Sequence, residues 1–74
     1  MNSQKLSQNE KNILMIVNTD GYASAYYLRT VLGLKTNRCI RKLLHKGLLS
    51  HNAFFPHSSQ AGIEAMKQYP NHKI

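Results

Sequence analysis

Seventy-four residues carry ten Lys or Arg against three Asp or Glu, a formal charge of +7, and one cysteine. A chain this short makes one small domain that buries about 60% of the surface its unfolded form exposes, and a single cysteine excludes an intrachain disulfide as reinforcement. Hydrophobic content of 42% argues against disorder. A basic balance of this size points to nucleic acid first, an anionic membrane surface second and an acidic protein third.

Residues 1–7 read as an N-terminal tail without the apolar core of a signal peptide. The longest apolar run, Ile13 to Val17, falls far short of the ~20 residues that span a bilayer. The expectation is a cytoplasmic protein, nucleoid-associated when bound, with no membrane partner; one free cysteine suits a reducing compartment. Ser7 and Glu10 form a capping-box pattern. Behind them Ile13, Ile16 and Val17 recur at helical spacing, with Leu14 beside them, and Asp20-Gly21 supplies a stop, so a first helix is predicted over Gln8 to Thr19.

Tyr22-Ala23 reads as a short extended link and Ser24 as the next N-cap. Tyr27, Leu28, Val31 and Leu32 make the apolar stripe of a second helix ended by Gly33. Leu34 is expected to tuck inward, and Lys35-Thr36 leads into a third helix with Thr36 as its cap. In that helix Ile40, Leu43 and Leu44 face the core, Cys39 lies at the border, and Gly47 is the stop. Leu48 to His51 and Phe54 to His57 are predicted as two short strands around an Asn52-Ala53 turn, with Pro56 making its strand an edge or a very short one. One of the adjacent Phe54 and Phe55 is expected in the core, since neighbours in a strand point to opposite faces. Of the tyrosine cluster Tyr22, Tyr26 and Tyr27, at least one is expected to be structural. Ser59 then caps a last helix with Ile63, Ala65, Met66 and Tyr69 as its apolar positions, stopped by Pro70, and 70–74 read as a loose tail.

Between Gly21 and Ile63 stand Arg29, Lys35, Arg38, Arg41, Lys42 and Lys46 and no Asp or Glu. A solvated helix face ordinarily interleaves Glu with Lys to gain spaced ion pairs. An acid-free one has no internal counter-ions, and a polyanion suits it. Asn37, Arg38, Arg41, Lys42 and His45 fall opposite Ile40 and Leu44, so the third helix presents its charge on one side.

The elements Ser24-x3-Leu28, Leu32-Gly33-Leu34, Ile40-x3-Leu44, Gly47-Leu48-Leu49 and Ser59-x2-Gly62 resemble the winged helix-turn-helix DNA-binding domains of small bacterial and phage regulators over residues 8–69. The fold implied is mainly α with a short β-hairpin, three helices, two strands and a fourth helix. The function implied is sequence-preferring binding of double-stranded DNA by a transcriptional regulator, with the third helix (about 36–46) in the major groove. The resemblance carries DNA contact over onto Lys35, Thr36, Asn37, Arg38, Arg41 and Lys42; Asn37 and Arg38 are expected to read bases, Arg41 and Lys42 to meet deeper base edges or phosphate, and Ser24, Tyr26, Arg29, Lys35, Thr36, His45, Lys46 and His51 to hold phosphates. The chemistry agrees: Arg presents a fork to guanine O6 and N7, and Asn pairs bidentately with adenine. One recognition helix covers only a few base pairs, so a homodimer or cooperative binding on DNA is expected, through the first helix and Ile63 to Tyr69. With a single domain, regulation would work by occupancy.

Other functions find less to build on. Only Glu10, Asp20 and Glu64 are carboxylates, no Ser-His-Asp constellation or phosphate-cradling Gly loop is visible, and Cys39 has no paired base, so an enzyme is not expected. His45, His51, His57 and His72 include no i, i+4 pair, and with an Asn52-Ala53 turn His51 would face Phe54 rather than His57. No metal, cofactor or small-molecule ligand is expected. The rival readings are a protein-interaction winged helix that meets an acidic partner, and an RNA or single-strand binder that stacks bases on its tyrosines.

Overall fold

The computed structural model describes residues 6–67. The elements are α1 (Gln8–Asp20), α2 (Ala25–Leu32), α3 (Thr36–His45), β1 (Leu49–His51), β2 (Pro56–Ser58) and α4 (Gln60–Met66). Three helices, an antiparallel hairpin and a fourth helix make the winged helix-turn-helix arrangement. Tyr69 as a core residue, the Pro70 stop, His72 and the C-terminal tail lie outside the described residues. So does most of the N-terminal tail, but Leu6 is buried in the core.

Helix α1 begins on a complete capping box: the Ser7 amide donates to Glu10 Oε1 at 2.9 Å and the Glu10 amide to Ser7 Oγ at 3.2 Å. Lys46 at the end of α3 reaches the other carboxylate oxygen at 3.4 Å. Burial works to raise the Glu10 pKa, but the Ser7 hydrogen bonds and the Lys46 charge outweigh it and hold the carboxyl below its ordinary value of 4.5. A folded-state pKa below the unfolded one stabilises the fold fully above about pH 4.5, and that contribution is lost as pH falls through the lower folded value. Thermal melts from pH 7 to 3 are therefore expected to show a smaller acid loss in Glu10→Gln than in the parent protein. Equal acid losses would remove Glu10 from the account.

The core joins Ile13, Leu14 and Val17 of α1, Leu28 of α2 and Ile40 and Leu43 of α3, closed by Leu48, Leu49 and Ala65. Ile16, Leu32 and Leu44 pack around it, partly buried. Three residues expected inside are not. Tyr27 and Val31 are half-exposed and Leu34 is 86% exposed. Helix α2 is barely two turns long and meets the core through Leu28 and Leu32, while Tyr27 and Val31, at i and i+4, lie on the neighbouring strip, which faces out; Leu34 follows the Gly33 break, in the turn before α3. Ile63 is likewise exposed, because α4 turns Gly62 and Ala65 inward.

That choice of face follows from how closely α4 approaches the turn after α3. Ser59 Oγ accepts from the Gly62 amide at 3.0 Å and donates to the Gly47 carbonyl at 2.8 Å, so one hydroxyl caps α4 and ties it to the end of α3. A Cβ on Gly62 would run into the Leu48 carbonyl oxygen. On the far side, Asn18 Nδ2 of α1 donates to the Gly62 carbonyl at 3.4 Å. Helix α3 itself ends as expected at Gly47, with φ at +79° and the Leu48 amide bonded to the Leu43 carbonyl at 2.9 Å.

The hairpin differs from its expected form. His51 pairs with Pro56, so the loop is four residues, 52–55, and not the Asn52-Ala53 turn. A type I′ two-residue turn needs left-handed backbone at both central positions, which Ala53 disfavours, and a type II′ turn favours Gly at the first, where Asn52 stands. Instead His51 takes the left-handed conformation, with φ at +74°, and Asn52 Oδ1 accepts from the Phe54 and Phe55 amides, each at 2.9 Å. Neither phenylalanine enters a strand or the core. His51 consequently stacks on His57, ring centroids 3.8 Å apart, rather than facing Phe54.

Strand β2 is very short, three residues in a two-stranded sheet. Its second side pairs with the link before α2: Ser58 N donates to Gly21 O at 2.9 Å, Ala23 N to Pro56 O at 3.2 Å and Ala25 N to Phe54 O at 2.8 Å. Pro56 contributes its carbonyl to these bonds, so its missing N–H takes nothing from them. No helix among the described residues is long and apolar enough to cross a membrane.

Candidate nucleic-acid interface

Helix α3 divides cleanly. Thr36, Ile40 and Leu43, spaced i, i+4 and i+7, are buried, and Asn37, Arg38, Arg41, Lys42 and His45 are exposed. At about 100° per residue, Arg38, Arg41 and His45 form the ridge most nearly opposite that stripe, with Asn37 and Lys42 on its two flanks. No carboxylate lines this surface. The five side chains expected on one side of the helix do stand there together.

Their second role separates them. Thr36, expected as the cap and a phosphate contact, is the first residue of the helix, 1% exposed, and points into the domain. The N-cap is Lys35, which has no capping side-chain bond and lies in solvent. The buried register explains this: position 36 starts the same stripe as Ile40 and Leu43, and a Thr there turns inward rather than to solvent. Lys46 stands at the edge of the basic surface, but its ammonium is held by Glu10, a counter-ion that comes from 36 residues away. His51 lies on the hairpin, stacked on His57, and does not border the α3 surface.

At the start of α2, Ser24 is the N-cap as expected, its Oγ accepting from the Tyr27 amide at 3.0 Å. The Ala25 amide is taken by the Phe54 carbonyl. Two first-turn amides that could have met a phosphate are therefore already bonded within the protein. Tyr26 and Tyr27 project into solvent, and Tyr22 lies tilted against His57 with centroids 5.6 Å apart. Arg29 lies over the Tyr26 ring, 5.9 Å from its centroid.

Helices α2 and α3 and the hairpin loop enclose a cleft of ≈ 570 Å³ that opens beside the basic ridge. Tyr26 and Arg29 form one wall, Asn37 and Arg41 the floor shared with the ridge, and Phe54 and Phe55 the other wall. Sequence reasoning located each of these residues but not their meeting, because it placed one phenylalanine inside. The signal available was Asn52 before two aromatics and a proline, a side chain able to hold an open loop.

Elsewhere the surface offers little chemistry. Cys39 is free and half-buried. Among the described residues no group of three or more His, Cys, Asp or Glu stands close enough to hold a metal ion. Comparison with protein-family models, with curated proteins and with solved structures finds no match to this chain.

Proposed function

We propose that this protein binds double-stranded DNA with sequence preference and acts in the cytoplasm as a small transcriptional regulator by occupying its site. The observation that carries this is the α3 surface: Asn37, Arg38, Arg41, Lys42 and His45 exposed together, opposite a buried stripe and with no acid among them. Such a helix, projecting beside a hairpin, has the size and charge to enter the major groove. Asn37, Arg38, Arg41 and Lys42 then meet base edges, with His45 on the same ridge. Arg29, Lys35 and Tyr26 meet the backbone, while Thr36 drops out and Lys46 and His51 contribute less. A second recognition helix, from a second copy on an adjacent site, supplies the length of sequence that one cannot read.

Electrophoretic mobility shifts with duplex DNA, single-stranded DNA and RNA test the proposal directly. Duplex binding at micromolar protein and low salt, with weaker binding to the other two, is the expected result; no duplex shift would refute it. With about five phosphates neutralised, log affinity should fall against log salt with a slope near −5. An acidic protein partner is the second reading, favoured by the two exposed phenylalanines beside the cations. It would show as capture of acidic peptides without a duplex shift.

A further inference from the structure

Two adjacent phenylalanines exposed to water forgo the gain of burying their rings, and a slack loop would fold them down. This loop is not slack. Phe54 N and Phe55 N both donate to Asn52 Oδ1. Phe54 O accepts from the Ala25 amide at 2.8 Å, and Phe55 O accepts from His57 Nδ1 at 2.8 Å. Every backbone donor and acceptor of the pair is thus engaged, and only the two rings are left without a role, 78% and 52% exposed. They are held out, facing a cleft whose other walls carry two guanidiniums and a tyrosine.

A partner for this cleft must be anionic and must also bring a flat apolar face. Phosphates alone gain nothing from phenyl rings, and an apolar peptide gains nothing from Arg29 and Arg41. A nucleotide offers both, but in a continuous duplex the base faces are covered by their neighbours. We infer that the cleft takes one unstacked nucleotide of the bound DNA, its base against Phe54 and Phe55 and its phosphate toward Arg29, an inference that rests on the DNA-binding reading above. Asn37, on the shared floor, lies where it can meet the displaced base or its neighbour. The hairpin then acts less as an arm along a groove than as a wedge that holds a base out of the stack. The volume of ≈ 570 Å³ suits a single nucleotide.

Opening a stack is costly in a paired duplex and least so where a base is already unpaired. The test compares, by fluorescence anisotropy, a labelled duplex of about 20 base pairs with the same duplex carrying one bulged thymine. The intact protein is expected to bind the bulged duplex about tenfold more tightly, since stacking on an aromatic is worth about 1–3 kcal/mol per base. Phe54→Ala should abolish that preference while still binding the paired duplex, and Phe54→Trp should retain it. Phe54 is exposed, so neither change threatens the fold. Equal affinity of the intact protein for both duplexes, or a preference that survives Phe54→Ala, overturns the wedge and leaves duplex binding standing. Binding to neither duplex overturns the wedge and the DNA-binding reading together.

Discussion

Replacing Gly62 with Ala is expected to lower the melting temperature by about 10–20 °C. The new Cβ would run into the Leu48 carbonyl oxygen and stand 3.1 Å from its carbonyl carbon and 3.3 Å from Ser59 Oγ. None of these is the free end of a flexible side chain. The Leu48 backbone follows the α3 stop, and Ser59 Oγ is fixed by its bonds to Gly62 N and Gly47 O. Helix α4 must therefore lift, which loosens Ala65 from the core and strains the Asn18 bond to Gly62 O. Overpacking of this kind costs about 1–3 kcal/mol, and in a domain of this size each kcal/mol moves the midpoint by about 4–8 °C. Ser59→Ala, which removes a cap but adds no atom, should cost only about 1 kcal/mol. Circular dichroism melts of both variants decide the matter: a Gly62→Ala midpoint no lower than that of Ser59→Ala would mean that α4 does not approach Leu48 so closely.

The second large effect concerns binding. Arg38→Ala and Arg41→Ala are each expected to weaken binding to a site selected from random duplexes by about 1–3 kcal/mol, roughly 5- to 150-fold. Both residues are exposed on the ridge opposite Thr36, Ile40 and Leu43, so the fold should survive. The diagnostic is which sequences are lost. Guanidiniums on guanine relax preference at particular base pairs and leave binding to random duplex nearly intact. Guanidiniums on phosphate weaken all duplexes alike and reduce the salt slope by about one for each residue. Arg29→Ala, in the last turn of α2, provides the phosphate-type comparison. Uniform weakening by Arg38→Ala and Arg41→Ala would remove base readout from α3.

What could be read from residues in order was local chemistry. Ser7 with Glu10, Ser24, Gly47 and Ser59 with Gly62 each act through backbone groups within a few positions, and each does its expected work. The Ser59-x2-Gly62 spacing proved the most informative, since a hydroxyl cap and an absent Cβ are both needed where α4 meets Leu48. Periodicity placed the exposed residues of α3 correctly because ten residues and a single buried stripe leave little freedom. It failed in α2, where two turns offer two adjacent apolar strips and only packing against α1 and α3 selects between them. Thr36 was misplaced for the converse reason: a good capping residue can also begin a buried stripe, and at 1% exposure the stripe has won. The Glu10–Lys46 pair and the bonds between the Gly21–Ala25 link and β2 join distant residues, beyond the reach of any local pattern.

Those link bonds have a thermodynamic consequence. The hairpin loop and the first turn of α2 are stitched together by Ala25 N to Phe54 O and Ala23 N to Pro56 O, so the two walls of the cleft are set against each other when the chain folds. Preorganisation of this kind moves the entropic cost of ordering a binding loop from association to folding. Association should then proceed as rigid-body docking on the protein side, with a heat-capacity change accounted for by the contact surface alone and without the excess that accompanies coupled folding.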